Sequence, residues 1–142
     1  MRHLIALPLL VAVTLVASTT PAAVRQAVAY GAAIGAGAVH VMAGRSHAAT
    51  GSEEAFRDAL AHACDLAAPH GMSILIEPIN TRDVPGYHLT SLEQAAGTVA
   101  AVGRDNLKIM FDCYHLQILQ GDLTRRFAEH LPLIGHVQIA AV

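Results

Sequence analysis

Short apolar runs alternate with segments of helical periodicity along most of the chain. Four runs rich in β-branched and other apolar residues predict strands at residues 38–42, 73–77, 107–111 and 135–140. Between them, apolar residues recur every three or four positions, which predicts helices at about residues 22–35, 50–70, 90–102 and 115–130, the last interrupted at Gly121. Strands that alternate with helices indicate βαβ units and a parallel sheet, so the predicted fold class is α/β.

Two of the predicted helices begin with the spacing of a capping box, in which a hydroxyl residue precedes a glutamate by three positions. Thr50 precedes Glu53 in this way, and Thr90 precedes Glu93. On the first of these two helices, a single face carries four apolar residues: Phe56, Leu60, Ala63 and Ala67.

Residues 1–23 do not follow this pattern and form a leader-like segment. A charged start is followed by an apolar stretch at residues 4–17 and then by small residues, as in a signal peptide. The 14 residues of that stretch are too few for a comfortable membrane span. A signal peptide and a mis-assigned or truncated start remain alternatives. In either case we expect residues 4–17 to stay out of the sheet and residues 24–142 to form the domain.

Composition narrows the class of protein. A length of 142 residues, with 54% apolar and 14% charged residues, indicates one folded domain. A net charge of −2 provides no footprint for a nucleic acid. Cys64 and Cys113 are too few for a disulfide framework and indicate thiols in a reducing compartment, hence the cytoplasm, unless the leader directs export. Because an eight-stranded (β/α) barrel needs roughly 250 residues, four strands predict only part of one.

Polar residues lie at the carboxyl ends of the predicted strands, where active sites of parallel α/β proteins are built. Glu77 and Asp112 each end a strand, and Gln138 lies near the end of the last one. Two carboxylates and an amide oxygen are ligands that suit Mg²⁺ or Mn²⁺ better than zinc. We therefore expect these three side chains to converge at one edge of the sheet.

Each of these residues also has an ordinary structural interpretation. Asp112 could cap the following helix, and Glu77 could be a solvated loop residue. Gln138 could simply end its strand, while His115 and His136 could be surface histidines. Spacing alone leaves these alternatives open.

Three long motifs resemble segments of the hydroxypyruvate isomerases, which belong to the xylose-isomerase-like barrels. They are IEPINTRDVPGYHLTSLEQA at residues 76–95, NLKIMFDCYHLQILQGDL at 106–123 and IGHVQIA at 134–140. The earlier run VHVMAG at 39–44 is similar to another strand of that barrel. The order and the intervals of the motifs also fit this family over about residues 24–142.

The resemblance implies a role for each candidate residue. Glu77 would be both a metal ligand and the proton donor and acceptor, Asp112 and Gln138 would be further ligands of Mg²⁺ or Mn²⁺, and His115 would face the substrate. The implied reaction interconverts hydroxypyruvate and 2-hydroxy-3-oxopropanoate through an enediol, within glyoxylate and carbohydrate metabolism. The implied partner is thus a small molecule, with no nucleic acid and no membrane.

The family pattern also contains a second catalytic glutamate, on a strand that would follow Val142, and two early strands that we do not find in the apolar start. We therefore expect an incomplete barrel with little or no isomerase activity. Two alternatives remain: a related isomerase or epimerase of sugars or 2-oxo acids, and a non-catalytic half-barrel remnant. Gln138 disfavours an epimerase, since the resemblance implies a histidine at this position in epimerases. An incomplete barrel would have an exposed sheet edge, which could pair with another copy of the chain, so a homo-oligomer is a further alternative.

Overall fold

Parallel strands and helices alternate along the chain, as the sequence predicts. The structure is a computed structural model that describes residues 10–13, 21–46 and 49–142, without the side chains of 10–13 and 21. Its strands are β1 (Leu10–Val13), β2 (Ala38–Val41), β3 (Ser73–Ile76), β4 (Leu107–Asp112) and β5 (Ile134–Gln138). Its helices are α1 (Pro21–Ala33), α2 (Ser52–Ala67), α3 (Leu92–Val102), α4 (Cys113–Leu119) and α5 (Leu123–His130). The four predicted strands and the helices between them are confirmed.

The strand order distinguishes a barrel from other parallel folds. The sheet runs β1-β2-β3-β4-β5, and every neighbouring pair is parallel. A doubly wound sheet would reverse its order at a switch point, whereas a (β/α) barrel adds each strand beside the previous one. The described strands therefore form part of a barrel wall.

The prediction that residues 4–17 would stay out of the sheet is wrong for Leu10–Val13. This segment forms β1 and pairs with β2 in parallel, with Leu10 opposite Ala38 and Val13 opposite Val41. The physical reason is that a run of valines and small apolar residues can complete a backbone ladder with a buried strand. Helix α1 also begins inside the predicted leader, at Pro21, while residues 1–9 and 14–20 of that leader lie outside the described part.

Both predicted capping boxes need correction. Helix α2 begins after Gly51, whose left-handed φ of 81° suits glycine, and no side chain caps the helix there. Helix α3 does have a capping hydroxyl, but it belongs to Ser91, which accepts from the Gln94 N–H. The side chain of Gln94 in turn accepts from the Thr90 N–H, so the box lies one residue further along than predicted.

In β2, β3 and β4, residues alternate between two buried faces of the sheet. Ile74, Ile76, Ile109 and Phe111 belong to the core beneath the helices, together with Val39 and Val41. The intervening residues, His40, Leu75 and Met110, are also buried but lie outside that core cluster, since successive side chains point to opposite faces. Burial on both faces is typical of a parallel barrel wall.

Each longer helix covers the sheet with one apolar face. On α2 the buried residues include Phe56, Leu60, Ala63 and Ala67, the four predicted from periodicity. On α5 the ring of Phe127 packs edge-to-face on Phe111, with the ring centroids 5.4 Å apart. Within the described residues, no helix combines the length and the apolar character needed to cross a membrane.

A close approach of side chains to the backbone of β5 requires glycine. The register between β4 and β5 shifts at Ile109/Met110, which leaves Gly135 as the extra residue of a bulge. A Cβ at Gly135 would lie 2.6 Å from the Cβ of Lys108 and 3.0 Å from Cδ2 of Leu75. The Cβ of Lys108 is fixed to the backbone of β4 and Leu75 is buried, so neither atom can move aside easily.

We predict that Gly135→Ala lowers the free energy of unfolding by about 1–3 kcal/mol, the usual cost of overpacking, because the added methyl group meets Lys108 and Leu75. The matched control is Gly97→Ala in the exposed interior of α3, where an added Cβ meets no atom within 4 Å. That change should raise the free energy of unfolding by about 0.5–1 kcal/mol, because alanine loses less entropy in a helix. Urea denaturation of both variants measures the difference, and equal effects would contradict the proposed clash.

Candidate metal and acid–base site

The alternation of the strands brings the polar residues to one place. Glu77 follows β3 and lies on the same face as Leu75, while Asp112 ends β4 on the face of Met110. Gln138 ends β5 directly opposite Asp112. All three therefore lie at the carboxyl edge of the sheet on the face away from the helices, as the sequence predicts.

Glu77 and Asp112 are buried beside each other, with exposed fractions of 6% and 9%. Ligand atoms of Glu77, Asp112 and His115 all lie within 4.8 Å of one another. Burial raises the pKa of Glu77 to about 8, and the negative charge of Asp112 and a hydrogen bond with it act in the same direction. Without a cation, Glu77 thus tends to hold a proton near neutral pH.

The amide of Gln138 lies against the carboxyl groups of both Glu77 and Asp112. One of its two terminal atoms lies 3.2 Å from Glu77 Oε1 and 2.9 Å from Asp112 Oδ2. If that atom is Nε2, it donates a hydrogen bond to both carboxylates. If it is Oε1, three oxygen atoms converge, and a cation or a proton on Glu77 is needed to hold them together.

Asp112 performs two tasks with its two oxygens. Oδ1 accepts from the backbone N–H groups of Tyr114, at 2.7 Å, and His115, at 3.1 Å, and so caps α4. Oδ2 is the oxygen that faces Gln138. The helix-cap interpretation and the site interpretation are therefore compatible, because the cap uses one oxygen and orients the other toward Gln138.

His115, in the first turn of α4, faces the same cluster. Its Nε2 lies 3.9 Å from Glu77 Oε1, and its side chain is 19% exposed. Its Nδ1 contacts Asn80, at 2.7 Å from the side-chain nitrogen. His115 therefore lies at the cluster where the sequence predicts it, whereas His136 lies two residues before Gln138, opposite Met110.

Two residues at the site were not singled out from the sequence. His40, in the middle of β2, is 6% exposed, and its Nε2 lies 3.4 Å from Glu77 Oε2. Burial lowers the pKa of His40 to about 4, so the ring is neutral beside the carboxyl group. Asn80 is fully buried in the loop after β3. The sequence did offer a signal for His40: it is a polar residue between two valines in a predicted strand, which places it on the opposite face from them.

Comparisons with known proteins agree with this architecture. Over 120 residues the chain is 42% identical to a 2-oxo-tetronate isomerase of Cupriavidus necator and 37% identical to a hydroxypyruvate isomerase of Escherichia coli K12. Each match covers 82% of this chain and 46% of the relative. The chain thus spans about half the length of the curated relatives it matches.

Solved structures show the same fold. A family 2 AP endonuclease from Brucella melitensis superposes with a TM-score of 0.86 at 32% identity, over 94% of this chain and 58% of that one. A 3-keto-D-glucoside 4-epimerase from E. coli superposes with a TM-score of 0.72 at 20% identity, over 85% of this chain and 50% of that one, which is evidence for the fold alone. Residues 17–142 match the sequence profile of one family, and the chain belongs to it: the xylose isomerase-like TIM barrels.

Proposed function

We propose that this chain carries the metal-binding and proton-transfer part of a hydroxypyruvate-isomerase-type active site. One observation supports this most directly: Glu77, Asp112 and Gln138 converge at the carboxyl edge of a parallel sheet. The E. coli relative that is named hydroxypyruvate isomerase is 37% identical to it.

The donor set fits a hard divalent cation such as Mg²⁺ or Mn²⁺. Glu77 and Asp112 would provide two negative charges, and Gln138 would provide a neutral oxygen. A cation held there would polarise the substrate oxygens and stabilise negative charge that develops on them. Its positive charge would also favour the ionised form of Glu77.

Glu77 is the residue placed to carry the proton. Isomerisation of a 2-oxo-3-hydroxy acid moves a proton between adjacent carbons by way of an enediol. Glu77 is a buried carboxyl group whose second oxygen faces the neutral ring of His40, so it can take a proton from carbon without being solvated. His115 lies on the side of Oε1, where a substrate oxygen would need a polar partner.

A second candidate substrate has specific support. The relative at 42% identity is named 2-oxo-tetronate isomerase, which would be a four-carbon counterpart of the same proton shift. The four-carbon substrate carries one additional hydroxymethyl group, attached to C3, one of the two reacting carbons. We propose hydroxypyruvate first and a 2-oxo-tetronate second, in a reducing, cytoplasmic setting that agrees with the free thiols of Cys64 and Cys113.

Metal-free chain should lose stability as the pH rises. The folded-state pKa of Glu77 is about 8 and its ordinary value is 4.5. Between these values the folded chain keeps a proton that the unfolded chain has released, so the contribution to stability is present below pH 4.5 and is lost as the pH rises through 8. The steepest slope is about 1.4 kcal/mol per pH unit. Urea denaturation in the presence of a chelator, from pH 5 to 9, measures it.

Glu77→Gln should flatten that slope and make the metal-free chain more stable at pH 8. Mn²⁺ should raise the melting temperature of the parent chain more at pH 8 than at pH 5, because protons compete for Glu77, and should do little for the variant. Glu129→Gln, which removes an exposed carboxylate from α5, is the matched control and should keep both behaviours. An unchanged slope in Glu77→Gln would contradict the assignment.

Proton abstraction should be measurable even where net isomerisation is slow. In D₂O with Mn²⁺, the chain should catalyse exchange of the C3 protons of hydroxypyruvate, because that step needs only one base. We expect Glu77→Gln to slow the enzyme-dependent exchange by ~10²–10⁴-fold, the usual contribution of a positioned acid–base group. Proton NMR of the substrate measures the rate.

Net conversion is followed in parallel through a reductase that consumes 2-hydroxy-3-oxopropanoate. It should be far slower than with the E. coli relative, since Glu77 is the one carboxylate of the described site to which we assign proton transfer. Glu129→Gln should behave as the parent chain in both assays. Exchange that is equally fast in Glu77→Gln would refute the proposed role, and conversion at the rate of the E. coli relative would mean that a second proton-transfer group is present.

A further inference from the structure

We infer that Asn80 is a positioning residue that holds His115 in its Nε2–H tautomer, so that His115 presents a hydrogen-bond donor to the site and does not ligate a cation. The inference rests on the proposed function only for what the donor meets, an oxygen of the substrate. The tautomer itself follows from contacts within this chain.

The orientation of the Asn80 amide is set by its neighbour Asp83. The backbone N–H of Asp83 donates to Asn80 Oδ1 at 2.8 Å, so this atom must be the oxygen. The other end of the amide donates to Asp83 Oδ2 at 3.0 Å. Oδ2 is held in place by a hydrogen bond from the Tyr114 hydroxyl at 2.7 Å.

With the amide so oriented, its second N–H points to His115. Asn80 Nδ2 lies 2.7 Å from His115 Nδ1, and the backbone N–H of Asn80 also donates to that nitrogen, at 3.4 Å. A backbone N–H group can only donate a hydrogen bond. Both facing groups are thus donors, and Nδ1 must carry the lone pair.

A neutral ring whose Nδ1 accepts must carry its proton on Nε2. This nitrogen lies on the side of the ring toward Glu77, 3.9 Å from Oε1. A protonated Nε2 has no lone pair for a metal ion, although His115 lies close enough to Glu77 and Asp112 to be counted among possible ligands. The ligand set with Gln138 is therefore preferred over the set with His115.

The tautomer can be measured directly on the unaltered chain. Nitrogen-15 NMR of the metal-free protein, with long-range correlations from the ring carbon protons, distinguishes a protonated ring nitrogen from an unprotonated one. A His115→Gln spectrum assigns the signals. We expect the neutral ring to favour Nε2–H by at least about tenfold, since the other tautomer would leave buried donors unpaired. Predominant Nδ1–H, or an even mixture, would overturn the inference.

Two substitutions separate positioning from packing. Asn80→Asp replaces the donor with an acceptor and should shift the population toward protonated Nδ1 by about tenfold or more. Asp83→Asn keeps an oxygen that can accept from Asn80 and Tyr114, so it should retain the parent tautomer. If Asn80→Asp proves unfolded, the measurement on the unaltered chain still decides. A folded Asn80→Asp variant with the parent tautomer would refute the role of Asn80.

A metal titration tests the second half of the inference. His115→Gln should keep the Mn²⁺ dissociation constant within about threefold of the parent value, whereas Asp112→Asn should raise it by about tenfold or more. Equal losses in the two variants would make His115 a ligand and overturn the inference. Failure of the isomerase proposal would appear separately, as proton exchange independent of Glu77 with an unchanged His115 tautomer.

Discussion

The burial of two carboxyl groups side by side, at the ends of apolar strands, is the constraint on which the site depends. Charged groups in such a place are unfavourable unless they are paired, hydrogen-bonded or neutralised. The chain meets this requirement with partners drawn from β2, β5 and the first turn of α4. Asp112 is bound by the backbone N–H groups of α4, Gln138 lies against both carboxyl groups, and Glu77 is left with the raised pKa. The residual instability is concentrated on Glu77, the group to which we assign proton transfer.

The same constraint explains why the site lies where it does. In a sheet buried on both faces, charged side chains are most easily accommodated where the strands end. His40 is a buried residue in the middle of β2, and its ring is neutral because it is buried. A neutral imidazole beside Glu77 Oε2 adds no second charge to the interior. On the helix-facing side of the sheet, Val39, Ile76 and Phe111 are apolar and belong to the hydrophobic core. One face of the sheet therefore contributes to stability, and the opposite face carries the polar site.

Periodicity predicted the elements well because their apolar faces recur over ten or more residues. It predicted Glu77, Asp112 and Gln138 for a related reason, since strand ends in a parallel sheet meet at one edge. It failed for β1, where a short apolar run beside a leader-like start lacks the flanking signals of a strand. It also failed for Asn80, which reads locally as a turn residue. Its contact with His115 joins residues 35 apart, and only the folded chain reveals it.

The loop after β3 therefore does more than connect two elements. The Asn80 side chain accepts a hydrogen bond from the Asp83 backbone N–H and donates one to the Asp83 side chain. The second side-chain N–H of Asn80 orients the ring of His115 on α4. The oxygens of Asp112 and the nitrogens of His115 are divided in the same way, with one atom engaged in holding the side chain and the other directed to the site. The holding contacts come from backbone N–H groups and a buried amide, so they form within the chain itself and require no bound ligand. Preorganisation of this kind lowers the cost of ordering the site during binding and catalysis.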